Sequence, residues 1–198
     1  MELPIRDGET VLITGPTLSG RRRLLHQLLH TAPGESAVIS TREPAGTVRS
    51  RYQRRTDGDG SELIVVDCIT NALERAATDT EMTKYAQSPD NLTSIGMKFA
   101  DILQQHRSDQ FSVGVVNLSP LLVYTSRRDV FQFTNILTQK STGADWPVYA
   151  AIEPRVHDTS TVHQFIPMFD TVIETRRTNS GDQELRVKKP SLTDWETF

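Results

Sequence analysis

Short unbroken apolar runs alternate along the chain with stretches whose apolar residues recur at helical spacing. The runs are Val11-Leu12-Ile13, Ser36 to Thr41, Glu62 to Asp67, Phe111 to Leu118 and Val148 to Ile152. Rich in β-branched side chains and bounded by turn formers, they predict strands covered on both faces. Leu24, Leu25, Leu28 and Leu29 predict a helix that starts near Gly20 and ends at Ala32-Pro33-Gly34. A short polar helix follows over Thr47 to Arg54, closed by the loop Asp57-Gly58-Asp59-Gly60. Asn91 is a good N-cap for a helix reaching about His106, with Ile95, Phe99, Ile102 and Leu103 inward. Val130, Phe133, Ile136 and Leu137 mark another over Asp129 to Lys140, and Thr161 to Phe169 a last short one. Thr70 to Asp90 is polar and weakly patterned, which predicts a mobile insertion or a short helix. Thr171 to Thr175 and Glu184 to Lys188 alternate around Asn179-Ser180-Gly181-Asp182, the pattern of a hairpin, and residues 190–198 read as a loose tail.

Strands alternating with helices predict an α/β fold: a mainly parallel central sheet, helices on both faces, and a C-terminal antiparallel hairpin. The 198 residues suit one domain. No repeat or low-complexity segment interrupts them.

The formal charge of −3 selects no polyionic partner by itself. Of the 22 basic residues, however, 17 are arginine, and they cluster: Arg21 to Arg23; Arg49, Arg51, Arg54 and Arg55; then the pairs Arg127-Arg128 and Arg176-Arg177. The second group is a candidate nucleic-acid or phosphate contact, set against the commoner reading of a solvated face. A single cysteine, Cys68, excludes an internal disulfide, and it reads as a small core residue. No stretch approaches the length of a membrane span and Met1 to Gly8 carries no apolar signal region, so no membrane partner and a soluble, cytoplasmic protein are expected.

The chemistry concentrates in Thr10 to Arg23, T-V-L-I-T-G-P-T-L-S-G-R-R-R. Strand, glycine loop and helix follow in the order of the phosphate-binding pattern G-x-x-x-x-G-K-[ST], with Gly15 and Gly20 in place. The candidate ligand-binding residues are Gly15, Pro16, Thr17, Leu18, Ser19, Gly20, Arg21 and Arg22. Arg21 replaces the lysine, keeping the charge on a bulkier planar fork. Arg22 replaces the hydroxyl that would ligate Mg²⁺, and guanidinium has no lone pair to give. Ser19 is a hydroxyl at the wrong offset. A loop that merely packs a helix on a strand and binds nothing is the competing reading.

In a parallel sheet ligands sit at the carboxyl ends of strands. There Asp67, after a buried strand, is the candidate metal residue, holding Mg²⁺ through water, or else an N-cap or turn aspartate. Glu43 is the candidate general base, or else the ion-pair partner of Arg42. Glu153 to Asp158 (E-P-R-V-H-D) gathers four ionisable groups; Arg155 and His157 would sense a terminal phosphate or a neighbouring subunit's site, while Asp158 and Thr159 more simply cap a helix. His26 and His30, at i and i+4, read as a solvated face rather than metal ligands.

Together these blocks resemble the RecA/KaiC-like P-loop ATPases of archaea, and look closest to short, degenerate single-domain members from haloarchaea. The resemblance runs through Ser40-Thr41-Arg42-Glu43-Pro44, Leu63 to Thr70, Asn117 to Tyr124, Ile152 to Asp158 and Phe169 to Glu174, nearly the whole chain. It implies a RecA-like fold in which active relatives bind ATP and Mg²⁺ through the loop, support the metal with the acid at Asp67 and activate water with the glutamate at Glu43. Asn117 stands where such relatives carry aspartate, and Arg21 and Arg22 depart from the pattern. The preferred expectation is therefore a regulatory or scaffolding domain that is not an efficient ATPase and requires no cofactor. At its modified loop it would bind ATP, another nucleotide or phosphate, and it would act with a protein partner or a second copy of itself. The alternatives are a slow ATPase with Arg21 as phosphate clamp, and a nucleic-acid accessory protein.

Overall fold

The β-branched runs become the inner strands of one nine-stranded sheet in the computed structural model, which describes residues 8–56, 63–73, 76–107 and 109–198. The predicted loop Asp57–Gly60 and Glu62 lie outside these residues. In chain order the elements are β1 (Thr10–Thr14), α1 (Arg21–Thr31), β2 (Glu35–Ser40), α2 (Ala45–Thr56), β3 (Leu63–Asp67), β4 (Thr83–Tyr85), α3 (Leu92–Gln105), β5 (Phe111–Val115), α4 (Ser119–Tyr124), α5 (Arg127–Thr142), β6 (Val148–Ile152), α6 (Thr159–Phe165), β7 (Thr171–Arg177), β8 (Gln183–Lys189) and β9 (Glu196–Thr197). The sheet order is β4-β3-β2-β5-β6-β1-β7-β8-β9, parallel from β4 through β7 and antiparallel at β8 and β9.

Alternate residues of each inner strand feed two cores. Val11 and Ile13 point with Val38 and Val65 into a layer formed by α1 and α2. Leu12, Ile39 and Val66 face α3, α4, α5 and α6, around Phe99, Phe111, Trp146 and Phe165. Burial on both faces is why these strands lack polar alternation.

The structure differs from the sequence expectation chiefly in short elements. The polar stretch from Thr70 to Asp90 contains an edge strand, β4, paired in parallel with β3. Phe111 to Leu118 is strand only to Val115, and the next turn of chain becomes α4, begun by Pro120 within its first turn. In the predicted loose tail, Glu196 and Thr197 pair with β8 as β9. Trp195 beside them lies between the guanidiniums of Arg176 and Arg186, 4.0 and 4.4 Å from its ring centroid. Asn91 caps α3 as expected, accepting from the Ser94 N–H at 2.9 Å.

Two buried positions fix α1, and with it the loop that precedes it. Gly114 lies on β5 beneath α1, where a Cβ would come within 2.9 Å of Leu29 Cδ1 and 3.3 Å of Leu25 Cδ2. His26, read from sequence as solvated, is 1% exposed and packs against the Tyr52 ring at 5.7 Å. Neither of its ring nitrogens has a hydrogen-bond partner among the described residues. Burial, followed by the charges of Arg55, Arg22 and Arg51, pushes its pKa down from 6.5 to about 3.

Gly114→Val is expected to lift α1 from the sheet at a cost of about 1–3 kcal/mol, whereas Gly46→Ala, with open space around its Cβ, leaves stability unchanged or raised by up to about 1 kcal/mol; urea unfolding distinguishes them. His26 remains neutral in the folded chain while the unfolded chain protonates below 6.5, so its effect is absent above that pH and folding is increasingly opposed as pH falls toward about 3. His26→Leu should flatten the loss of stability over that window and leave stability at about pH 7 unchanged or higher, as measured by urea unfolding across the pH series.

Candidate functional site

The turn between β1 and α1 is closed by residues that bring backbone against backbone. At Gly15 a Cβ would strike the hydroxyl and carbonyl of Thr175 and lie 2.6 Å from Ser19 Oγ. Gly20 caps α1 at φ +95°, where a Cβ would meet Phe198 at 2.7 Å and Gln183 at 2.9 Å. Ser19, completely buried, shares a 2.6 Å hydrogen bond with Thr175 Oγ1, which donates to the Thr14 carbonyl at 3.1 Å. The Leu18 carbonyl accepts from Gln183 Nε2 at 3.1 Å. The predicted residues Gly15 to Arg22 thus form one turn, held from outside by the C-terminal strands. Among the described residues, the N–H groups of Thr17, Leu18, Gly20, Arg21 and Arg22 meet no acceptor.

The amino-terminal turn of α1 contains no acid and three consecutive arginines, which oppose the positive end of the helix dipole. Each finds a different partner. Arg21 Nη2 donates to Glu153 Oε2 at 2.5 Å, and Thr17 Oγ1 donates to the same oxygen at 3.0 Å. Arg22 Nη1 donates to Glu43 Oε1 at 2.8 Å, an oxygen that also accepts from Arg51. Arg23 reaches Gln183 Oε1 at 3.5 Å and lies 5.6 Å from the Phe198 ring centroid. Burial lowers the Arg21 pKa, Glu153 opposes that shift and Arg22 adds to it. Arg55 is lowered by burial and then by Arg22 and Arg51, with Glu43 opposing.

A cavity of about 330 Å³ opens over this turn, lined by Pro16 to Arg23 together with Arg42, Arg55, Val116, Asn117 and Gln183. Five guanidiniums and a helix N-terminus border it, and no carboxylate does. Such a surface attracts anions through charge, backbone donors and the helix dipole at once.

The predicted metal and base residues are held by hydrogen bonds and ion pairs within the chain. Asp67 is 1% exposed and does not line this cavity. Its Oδ2 accepts from the Ala45 N–H and Thr70 Oγ1 at 2.8 and 2.7 Å, and its Oδ1 from the N–H groups of Ile69 and Thr70 at 2.8 and 2.9 Å. Those four donors fill the lone-pair sites of a carboxylate. Glu43 is engaged by two arginines, rather than by Arg42. Asn117 Oδ1 accepts from the Ser119 N–H at 3.0 Å. A magnesium ion wants free oxygen ligands; with Asp67 saturated, Glu43 and Glu153 bound to arginine and Arg22 in the hydroxyl position, these residues do not suit one. Among the described residues, no group of three or more His, Cys, Asp or Glu side chains is placed to hold a metal.

Of the other residues singled out by sequence, Arg155 and His157 line a separate cavity of about 450 Å³ beyond β6, and Asp158 takes the N-cap position of α6 without a side-chain bond. Cys68 is buried, and burial followed by the Asp67 charge pushes its thiol pKa up, as suits a core residue. Arg49 to Arg55 do not form one face: Arg49 donates to the carbonyls of Leu63 and Met82 and to Thr83 Oγ1, Arg51 binds Glu43, and Arg55 lines the loop cavity. The pairing of Glu153 with Arg21 and Thr17 was not read from sequence. The available signal was a carboxylate directly after a buried strand in a chain with arginine at the loop's lysine position.

Among the described residues no helix is long and apolar enough to cross a membrane. No curated protein matches the chain by sequence. Among solved structures it is similar to the uncharacterized protein PH0321 from Pyrococcus horikoshii, solved in complex with an unknown peptide. The TM-score is 0.71 at 14% identity, over 93% of this chain and 85% of that one. It is similar also to the KaiC-like protein PH0186 from Pyrococcus horikoshii OT3, with a TM-score of 0.66 at 11% identity, over 98% of this chain and 85% of that one. The sheet order, the glycine turn and these neighbours together establish the RecA/KaiC-like α/β fold. A family model matches residues 8–175, and the chain therefore belongs to the family of unknown function DUF7504.

Proposed function

We propose that this chain is a degenerate, single-domain RecA/KaiC-like P-loop protein of the haloarchaeal type. Its modified loop binds the phosphates of a nucleotide, or phosphate itself, without Mg²⁺ and without efficient hydrolysis, so that occupancy regulates a protein partner or self-association. The cavity bordered by Arg21, Arg22, Arg23, Arg42 and Arg55 over unpaired loop N–H groups carries this reading. Guanidiniums take over the charge neutralisation that a lysine and a metal provide in an ATPase.

The same geometry argues against turnover. Glu43 would have to leave Arg22 and Arg51 to orient a water, and Asp67 would have to surrender hydrogen bonds that shape its own turn. A scaffolding role is supported by the fold neighbour that carries a peptide. Nucleic-acid association has weaker support, because Arg49 and Arg51 are spent within the molecule.

Titration calorimetry with ATP and ADP in EDTA is expected to show binding that Mg²⁺ does not strengthen. Arg42→Gln and Arg55→Gln, at cavity positions that make no ion pair among the described residues, should each weaken it about tenfold. No phosphate release above background is expected. Absence of binding at millimolar nucleotide, a strict requirement for Mg²⁺, or steady hydrolysis would each overturn the proposal.

A further inference from the structure

The helices α3 and α5 each run back from the carboxyl end of a parallel strand, so they lie on one face of the sheet and point the same way. Between them runs a groove of about 710 Å³ that shares no wall residue with the arginine cavity. Phe133, Ile136 and Leu137 line it from α5, and Leu92, Gly96 and Phe99 from α3. Phe99 and Leu137 are core residues that form its floor, whereas Ile136 is 44% exposed although large and apolar.

Gly96 stands within α3, where glycine weakens a helix relative to alanine. No atom lies within 4 Å of the place its Cβ would take, so nothing in its own chain excludes a side chain there. Gly46 is equally open but does not line the groove. A bare backbone position on a groove wall admits the close approach of another helix. The charges at the two ends of the groove are opposite. Asp90 and Asp129 stand where the two helices begin, and Lys140 lies about 16 Å further along the axis of α5 than Asp129. All three line the groove, and none makes an ion pair among the described residues. Asp129 Oδ2 accepts from Ser126 Oγ at 2.6 Å, which leaves its charge in place.

We infer that this groove is the contact of a two-fold symmetric dimer, filled by α5 of a second copy of this chain running antiparallel to α3 and α5. A surface with an apolar middle and opposite charges at its two ends is its own complement after a half-turn. The rotation brings Lys140 of each copy to the partner's Asp90 and Asp129, and Ile136 of each into the partner's groove over Gly96. The axis passes between Phe133 and Ile136, midway from Asp129 to Lys140 on α5. Antiparallel alignment also sets the dipoles of the two α5 helices in opposition, which is favourable. Because both copies use the same patch, the association closes at two. This contact gives the self-association proposed above a surface, and it requires no phosphate at the glycine turn.

The test is analytical sedimentation of the full chain without nucleotide, so that its failure leaves the phosphate reading standing and failure of that reading leaves the dimer standing. At about 50 μM the wild-type chain should sediment mainly as a dimer, which requires a Kd of about 5 μM or tighter. Ile136→Asp, at an exposed position, and Gly96→Leu, which fills the groove, should each weaken the dimer at least about tenfold. The Gly96→Leu change favours the helix itself, so its effect does not arise from unfolding. Lys140→Glu alone, and Asp90→Lys combined with Asp129→Lys, should each weaken the dimer at least about tenfold, because like charges then meet at both ends. Mixed in equal amounts, these two charge variants should pair with each other to within about threefold of the wild-type affinity, a recovery that misfolding would not produce. A monomeric wild type overturns the inference. A dimer indifferent to Ile136→Asp and Gly96→Leu also overturns it, placing the contact on another face, and so do charge variants that fail to recover on mixing.

Discussion

Three positive charges at the amino-terminal end of a helix must be compensated, and the partners recruited for this tie the site to three distant parts of the chain. Glu153 at the end of β6 answers Arg21. Glu43 beyond β2 answers Arg22 and holds Arg51 as well. Gln183 and Phe198, from β8 and the segment that follows β9, attend Arg23. The helix dipole makes each arginine less welcome than a neutral residue there. The ion pairs offset that cost only in part, since burial draws down the Arg21 and Arg55 pKa values despite their carboxylate neighbours. What remains is a local excess of positive charge in a concave place, the condition that favours an anionic ligand.

The polar side chains at the other strand ends are engaged with their own turns. Asp67 organises the turn after β3 and anchors the start of α2 through the Ala45 N–H. Asn117, a neutral residue at a comparable strand end, holds the entry to α4. At the carboxyl end of a parallel strand, whether a carboxylate meets a ligand or its own backbone depends on the following turn. In this chain the turn following β3 closes on its aspartate.

Much of this was legible in the sequence because the physics was local. Unbroken β-branched runs specified the inner strands, the leucine pairs specified α1, and Asn91 specified the start of α3. The glycine loop was legible as well, since only glycine tolerates the contacts at Gly15 and the backbone at Gly20. The short elements β4, α4 and β9 were not, because each is stabilised by neighbours rather than by its own periodicity. Arg49 to Arg55 misled for the same reason: adjacency in sequence suggested a common face, whereas the helix sends Arg49 toward β3 and β4, Arg51 to Glu43 and Arg55 to the cavity. The Arg21 and Glu153 pair spans more than half the chain and follows only from the adjacency of β1 and β6.

The two tryptophans fall in different surroundings. Trp146 is sealed in the core, its Nε1 donating to the Asp109 carbonyl. Trp195 is half-buried between two guanidiniums on the strands whose Thr175 and Gln183 grip the glycine turn. The molecule thus contains two intrinsic optical reporters. Fluorescence arising from Trp146 registers the integrity of the sheet's covered face, while that from Trp195 registers the strands clasping the loop, so local loosening at the loop is spectroscopically separable from global unfolding.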